Sequence, residues 1–292
     1  YEIGTGDWSS DVCSSDLAEI LRYNYPGWKK KDTENMTRLM MSAFYPTVRY
    51  YFPVANGNWD GAIMHTLLAI AVFTDNRELF DNAAYHYLHA NANGSLIKYV
   101  YPTGQCQETR RDQGHVQMGL YEFSGAARIA YTQGVDLFSA ADNRLALGLE
   151  YSARFICGDS VYAYGVPSQR ERFKYRAGFE YCIDHFTAKG VNMPYLRELC
   201  SRTKMDNPAN ALWKLTAFRE EFRQKPSVLV DIQESKIAYH AGATLEQVCP
   251  TGQSVIEVNN HEDLQAVLNA NAGSGRTLFL RAGEYRLKQS LT

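Results

Sequence analysis

The chain has 292 residues, of which 45% are hydrophobic and 21% charged, with a formal net charge of −2. This hydrophobic content is enough to bury a core, and it excludes a disordered chain, which combines low hydrophobicity with high net charge. The balance of 30 basic and 32 acidic residues gives no general attraction to nucleic acid or to an anionic membrane.

The first 17 residues, YEIGTGDWSSDVCSSDL, follow neither a helical nor a strand period. The stretch GDWSSDVCSSDL resembles a translated sequencing adapter, so we predict that residues 1–17 are a non-native tail. The chain starts at Tyr1, and no signal peptide is visible. We therefore interpret it as a fragment whose parent carries further N-terminal helices and an export signal.

Helical patterns run from residue 18 to about 225 and predict a domain of stacked antiparallel hairpins. Trp59 to Phe73 is apolar on nearly every face, which is typical of a helix buried on most sides. Further helices are predicted over 33–45, 77–89, 112–132, 142–155, 171–189 and 208–222. The long polar loops at 91–111 and 158–170 are the kind of segment in which sites are built.

After Pro226 the pattern changes from helical to strand-like. We predict that residues 226–252 form a linker with short strands. Residues 253–292 contain a strand, a short helix, a Gly-Ser-Gly turn and a second strand. This order predicts the start of a second domain.

The segment ANGNWD, which leads into the apolar helix, is the first of three polar segments. Asn58 can cap the helix, with Gly57 giving a permissive backbone. Capping needs only one asparagine, which favours a functional role for Asn56.

The second polar segment is GQCQETRRDQGH. Arg111 and His115 are four residues apart and can face the same way from one helical turn. A solvated charge cluster at a helix N-terminus is the alternative interpretation. The amides of Gln105, Gln107 and Gln113 would add little to such a network, which favours a functional site.

The third polar segment, YAYGVPS, is followed by Arg170, Arg172, Tyr175 and Arg176. Three arginines within seven residues suit an anionic ligand. Arg172 and Arg176 are predicted to share a helix face, and an exposed basic face explains the spacing equally well.

Two other kinds of site are disfavoured. The six cysteines form no C-x-x-C motif, and His86 and His89 have no third ligand nearby, so no metal site is predicted. Glu108 and Asp112 would make a poor glycosidase pair, because such carboxyls normally face each other across the sugar.

Three motifs, in the order GNWDGAIM, GSLIKYVYPTGQCQETRRDQGHVQMGL and YGVPSQRERFKYRAGFE, resemble the alginate-lyase-like (α/α) toroid family of polysaccharide lyases. They cover about residues 35–200 and are most similar to its glucuronan-lyase branch. The resemblance implies a mainly α fold, an incomplete (α/α) toroid or barrel of antiparallel hairpins over 18–225. The tail SVIEVNNHEDLQAVLNANAGSGRTLFLRAGEYRL resembles the start of a right-handed parallel β-helix, as in pectate-lyase-like and chondroitinase-B-like lyases.

The resemblance also implies cleavage of a uronic-acid polysaccharide, of glucuronan or alginate type, by β-elimination and without a cofactor. The substrate carboxylate must then be neutralised, the C5 proton removed and the leaving O4 protonated. We assign these catalytic roles to Asn56, Arg111, Gln113, His115, Tyr164 and Tyr175. We assign substrate binding to Asn58, Trp59, Tyr99, Gln107, Glu108, Arg170, Arg172 and Arg176.

Within these roles, Asn56, Arg111 and Gln113 neutralise the carboxylate, His115 is the base or a further neutraliser, and a tyrosine transfers protons. Related alginate lyases have an Asn-His pair before the Trp of the first motif, where this chain has Ala55 and Asn56. The base therefore cannot be copied from the family and passes to His115 or a tyrosine.

The leading prediction is thus a lyase whose partner is an anionic polysaccharide, with no nucleic acid and no membrane. The parent protein is expected in the periplasm or outside the cell, where such polymers are met. The alternatives are a non-catalytic carbohydrate-binding toroid, which would include a fragment inactivated by truncation, and a glycoside hydrolase on an (α/α) barrel.

Overall fold

The computed structural model describes residues 18–204 apart from 20, 53, 91 and 92, and then 255–259, 261–274, 276–280 and 285. The chain divides into two compact units, Tyr1–Gly242 and Ala243–Thr292. The predicted tail at 1–17, the predicted helix at 208–222 and the predicted linker at 226–252 lie outside the described residues.

The described part of the first unit is built from helices, and the prediction of a mainly helical protein is confirmed. In chain order its elements are α1 Lys30–Leu39, a π-helical turn Met40–Phe44, α2 Tyr45–Val48, α3 Gly57–Phe73, α4 Arg77–His89, α5 Leu96–Tyr99, a 3₁₀ turn Gln107–Arg110, α6 Gln113–Thr132, α7 Ala140–Cys157, α8 Glu180–Ala188 and α9 Pro194–Arg202.

Helix α3 forms the centre of this unit, as its apolar sequence predicts. Fourteen of its 17 residues are buried, and its main packing partners are α4 and α6. Three residues join α3 to α4, so the two form a helical hairpin, and Asn76 caps α4 by accepting a hydrogen bond from the Leu79 amide at 2.9 Å. Gly61 lets α6 approach closely, because a Cβ there would lie 3.1 Å from the ring of Phe123.

The helix predicted over 171–189 is shorter in the structure, where only Glu180–Ala188 is helical. Glu171 and Phe173 have φ values of 59° and 71°, in the left-handed region that a right-handed helix does not enter. The prediction that Arg172 and Arg176 share a helix face is therefore wrong. Both lie in a loop, which we call the 159–179 loop.

The second unit contains β1 Val255–Val258, α10 Leu264–Asn271 and β2 Thr277–Leu280. The two strands pair in parallel, and the Asp263 side chain caps α10 by accepting from the Ala266 amide at 3.2 Å. The predicted order of strand, helix and strand is present. One parallel pair with a helical crossover is common to several folds, so the β-helix stays a prediction.

Candidate active site

An aspartate and a histidine form a close pair where α6 begins. Asp112 is the N-cap residue, and its Oδ1 accepts a hydrogen bond from the His115 amide at 2.8 Å. His115 Nδ1 lies 2.8 Å and 2.9 Å from the two carboxylate oxygens. Because the carboxylate binds Nδ1–H, the neutral ring carries its lone pair on Nε2.

The two members of this pair differ in exposure. Asp112 is 1% exposed, whereas the His115 side chain is 21% exposed, and within the described part of the chain no partner is found for its Nε2. Burial opposes ionisation of Asp112, but the backbone and ring hydrogen bonds from His115 outweigh it and lower the pKa of that carboxyl. The pair thus consists of a stable carboxylate and an imidazole open to solvent.

Arg170 adds a positive charge beside this pair. Its Nη1 lies 3.6 Å from Asp112 Oδ2, and 70% of its side chain is exposed. The arginine belongs to the 159–179 loop, whose backbone is bonded to the start of α6 through Gln113 N–H and Arg170 C=O at 3.0 Å. A guanidinium therefore stands at the solvent edge of the Asp112–His115 pair.

A second polar cluster surrounds Glu108, which is fully buried. Its Oε1 accepts a hydrogen bond from Asn56 Nδ2 at 2.9 Å and lies 3.6 Å from Arg111 Nη1. Its Oε2 has no hydrogen-bond partner among the described residues. Asn56 and Arg111 are both exposed, so the buried carboxylate holds an amide and a guanidinium whose remaining N–H groups face solvent.

The two clusters are adjacent because the 3₁₀ turn runs directly into α6. The Glu108 carbonyl accepts from the amides of Arg111 and Asp112 at 2.8 Å and 3.2 Å. Arg111 therefore precedes α6 rather than forming part of its first turn with His115. One continuous segment supplies the base candidate, its carboxylate and two of the charged groups around it.

Three buried glutamines fasten the 159–179 loop to this segment. Gln113 Nε2 donates to the carbonyls of Thr109 and Ser168 at 3.1 Å and 2.9 Å, which uses both of its N–H bonds. Gln117 Nε2 donates to Lys174 C=O at 2.7 Å, and Gln105 Nε2 donates to the carbonyl of Tyr164 in the same loop at 3.2 Å. Gln113 is thus placed as a loop anchor, with no N–H left for a substrate carboxylate.

Gln107 has a similar positioning role at the start of α3. Its Oε1 accepts from the Gly57 amide at 2.8 Å, and its Nε2 donates to the carbonyls of Asn93 and Lys98 at 3.2 Å and 2.9 Å. These bonds fix the backbone beside Asn56. The side chain is engaged at both ends instead of facing a sugar.

The predicted tyrosines occupy three different environments. Tyr99 is fully buried and stacked on Phe123 with ring centroids 4.9 Å apart, and burial raises its pKa well above the usual value. Tyr164 is 53% exposed. Tyr175 is half-buried, and its Oη accepts a hydrogen bond from Arg202 at 3.1 Å, which leaves its own proton available to donate. Only the last two are placed to exchange a proton with a substrate.

The remaining predicted binding residues also lie in different environments. Arg172 anchors the loop, because Nε and Nη2 donate to the carbonyls of Phe155 and Asp159 and Nη1 to a glutamine side chain. Arg176 is exposed, and its guanidinium has no partner within the described ranges. Trp59 is half-buried beside Phe52.

Asn58 is 4% exposed and lies on the buried side of α3, with an Oδ1 that has no partner in the described part of the chain. Two residues important to the geometry are not among the predicted catalytic or binding residues, although the sequence places Asp112 where it can orient Arg111 or His115. Asp112 is recognisable as an N-cap three residues before His115. The only sequence signal for Gln117 is its spacing, because it lies four residues after Gln113 and therefore on the same helix face.

No group of three His, Cys, Asp or Glu side chains among the described residues is placed to hold a metal ion. His86 is buried against Asp60, and His89 is exposed. Within the described part of the chain, every helix is too short or too polar to cross a bilayer.

The family model for alginate lyase matches residues 11–161, just over half of the chain. The chain belongs to the alginate lyase family. This membership supports a polysaccharide lyase, a carbon–oxygen lyase, that acts on an anionic polysaccharide. The matched range includes Asn56, Glu108, Arg111 and His115 but ends before the tyrosines and arginines of the 159–179 loop. No curated protein and no solved structure matches the chain.

Proposed function

We propose that this protein cleaves a polysaccharide of the glucuronan or alginate type by β-elimination. The observation that carries the proposal is the Asp112–His115 pair, in which a buried carboxylate holds Nδ1 and leaves Nε2 open to solvent. A base of this form suits abstraction of a carbon-bound proton, and two basic groups for a uronate lie in the same region, Arg170 beside Asp112 and Arg111 beside Glu108.

The first step is removal of the proton from C5 of the uronate. His115 Nε2 takes this proton, and Asp112 holds the ring in orientation and stabilises the imidazolium that forms. Asp112 is suited to this role because its pKa is lowered in the folded protein, so it stays ionised near neutral pH.

Removal of the C5 proton places negative charge on the uronate carboxylate, which must be neutralised. Asn56 and Arg111 offer N–H donors that Glu108 orients, and Arg170 offers a guanidinium from the opposite segment. Donors fixed in advance stabilise such developing charge more than flexible ones, because they do not need to reorganise.

The second step breaks the bond between C4 and O4 and forms a double bond between C4 and C5. Tyr164 or Tyr175 donates its phenolic proton to the departing O4; afterwards the phenolate takes a proton from solvent and the imidazolium of His115 releases one to solvent, which restores both residues. Arg176, whose guanidinium is exposed, binds the carboxylate of a neighbouring uronate. We also infer that this protein works outside the cytoplasm, where such polymers occur.

The test is incubation with glucuronan and, separately, with alginate. A lyase generates unsaturated ends that absorb ultraviolet light, so absorbance must rise with time. A glycoside hydrolase would produce new reducing ends without that absorbance. A carbohydrate-binding toroid would bind the polymer in an affinity gel and release no product, and either of these last two results would refute the lyase proposal.

A further inference from the structure

Three tyrosine rings, two of them exposed and that of Tyr101 half-buried, form an aromatic surface on the 159–179 loop and the turn beside it. Tyr162 is 72% exposed and Tyr164 53% exposed. The ring of Tyr164 meets those of Tyr162 and Tyr101 edge to face, with centroids 5.8 Å and 6.4 Å apart. Contiguous exposed apolar surface marks binding sites more often than single exposed residues do. We call these three residues the tyrosine surface.

Buried and half-buried side chains hold the backbone under these exposed rings. Gln105, 2% exposed, binds both backbone groups of Tyr164: its Oε1 accepts from the amide at 2.7 Å and its Nε2 donates to the carbonyl at 3.2 Å. Tyr151 Oη donates to the Tyr162 carbonyl at 2.8 Å, and burial raises the pKa of Tyr151 to about 12, so this donor keeps its proton. The backbone that carries Tyr162 and Tyr164 is therefore held before any ligand arrives, which lowers the entropy lost on binding.

A positive charge lies at the edge of the tyrosine surface. The guanidinium of Arg110 packs against Gly165, next to Tyr164, and a Cβ at position 165 would lie 2.9 Å from its Nε. Gly165 has a φ of +74°, which a residue with a Cβ adopts only with strain. Arg110 is exposed, and within the described ranges it forms no ion pair. This cation is thus available to a ligand.

We propose that the tyrosine surface and Arg110 form a subsite for one uronate unit of the polysaccharide, outside the site of cleavage, and this assignment leaves Tyr175 as the residue that protonates O4. A pyranose ring has a face of C–H groups that packs on aromatic rings, and its carboxylate matches the fork of a guanidinium. Aromatic surface and unpaired cation together fit a uronate better than a neutral sugar, which would leave the cation without a partner.

The tyrosine surface lies close enough in sequence to the proposed cleavage site for one polysaccharide chain to occupy both. Arg170 is six positions after Tyr164, so their Cα atoms lie at most about 22 Å apart. Between them the Ser168 amide donates to the Thr109 carbonyl at 2.9 Å, which ties the loop to the segment that carries Glu108. One bound chain can therefore contact both places.

This inference rests on the proposed function for the nature of its ligand, and its test separates the two. The variants are Tyr162→Ala and Arg110→Gln, and neither residue is among the proposed catalytic residues. Tyr25→Ala is the matched control, because Tyr25 is a 57% exposed tyrosine remote in sequence from the loop. Since the substituted side chains are exposed, all three variants should keep the melting temperature of the unsubstituted protein.

Kinetics give the first readout. For a long polyuronate, Tyr162→Ala and Arg110→Gln should each raise KM about tenfold, with kcat unchanged. This is the effect expected for the loss of one good polar or aromatic contact. For the shortest oligomer that is still cleaved, KM should stay at the parent value, because the oligomer does not reach the subsite. Equal changes for long and short substrates, or no change for either, would overturn the inference.

Binding gives the second readout and does not depend on catalysis. In an affinity gel containing polyuronate, the variants should migrate faster than the parent and the Tyr25→Ala control. In a gel of the carboxyl-reduced polymer, Arg110→Gln should no longer differ from the parent. If the gel retards the unsubstituted protein more than the two variants but no unsaturated product forms, the lyase function is refuted and the subsite is kept. If Tyr162→Ala instead changes the sedimentation of the protein and not its binding, the surface is a contact between copies, and the subsite is refuted.

Discussion

Two aspartate–histidine pairs in the first unit show how the same residue types take different roles. Asp112 binds Nδ1 of His115 at the start of α6, and that imidazole is 21% exposed. Asp60 of α3 binds Nε2 of His86 of α4 at 3.0 Å, with both side chains at most 2% exposed. The ring of His86 is also stacked on Tyr51, with centroids 3.4 Å apart.

The difference lies in what surrounds the pair. Burial lowers the pKa of His86 in spite of the opposing hydrogen bond and charge of Asp60, so the ring is held neutral. Asp60 also accepts from the Phe52 amide at 2.7 Å, and Gly94 packs so closely on it that a Cβ there would overlap the carboxylate. The buried pair therefore joins helices and loops, whereas the exposed pair is open to a substrate.

The largest effect that separates the two pairs is expected from His115→Ala. Loss of the general base should reduce kcat/KM on polyuronate by about 10²- to 10⁴-fold. The melting temperature should change little, because the Asp112 carboxylate still caps α6 through the backbone amide at position 115. Initial rates of ultraviolet absorbance and thermal denaturation give the two quantities.

His89→Ala is the control for this substitution, because His89 is an exposed histidine at the end of α4 and lies outside the proposed site. It should retain full activity. Parent-level activity in His115→Ala would remove the base assignment and leave the proton transfer to a tyrosine, with Tyr164→Phe and Tyr175→Phe as the variants that decide between them.

Asp60→Ala is expected to lower the free energy of unfolding without a matching loss of catalytic activity. Removing the Asp60 carboxylate leaves the N–H groups of His86 and Phe52 without this acceptor, at roughly 1–3 kcal/mol of unfolding free energy each. Asp81→Ala is the control, since Asp81 forms an exposed ion pair with Arg77, and its loss should cost less than about 0.5 kcal/mol. Urea denaturation measures both. Equal stability of the two variants would contradict the structural role of the buried pair.

Local signals in the sequence predict the mainly helical fold and part of the site. The all-round apolar pattern of Trp59 to Phe73 predicts the central helix, and the N-cap position of Asp112 places His115 in the first turn of α6. Both depend on residues within one or two turns of each other. Such short-range patterns survive in the fold because backbone geometry alone determines which side chains share a face.

Partners distant in the chain could not be predicted in this way. His86 and Asp60 are 26 residues apart, and nothing in their spacing indicates a pair. Gln105 and Gln113 resemble substrate-binding amides in sequence, but they bind the backbone of a loop more than 50 residues away. That loop departs from the predicted helix because tertiary bonds to Arg172 outweigh the helical pattern.

The smallest of the three effects is expected from Asp112→Asn. Asparagine caps a helix as well as aspartate, so the unfolding free energy should change by no more than about 1 kcal/mol. The amide can offer His115 Nδ1 either its oxygen or its NH₂ group, and only the first arrangement leaves the lone pair on Nε2. The ring therefore spends part of its time in the wrong tautomer and loses the stabilisation of its imidazolium, as the carboxylate role requires.

We expect kcat/KM of Asp112→Asn to fall by about 10- to 100-fold, a smaller loss than for His115→Ala. The double variant Asp112→Asn with His115→Ala should be no less active than His115→Ala alone, because the carboxylate acts through the ring. Additive losses in that double-mutant cycle would show that Asp112 contributes independently of His115, and the pair would then be no more than a helix cap with a histidine beside it.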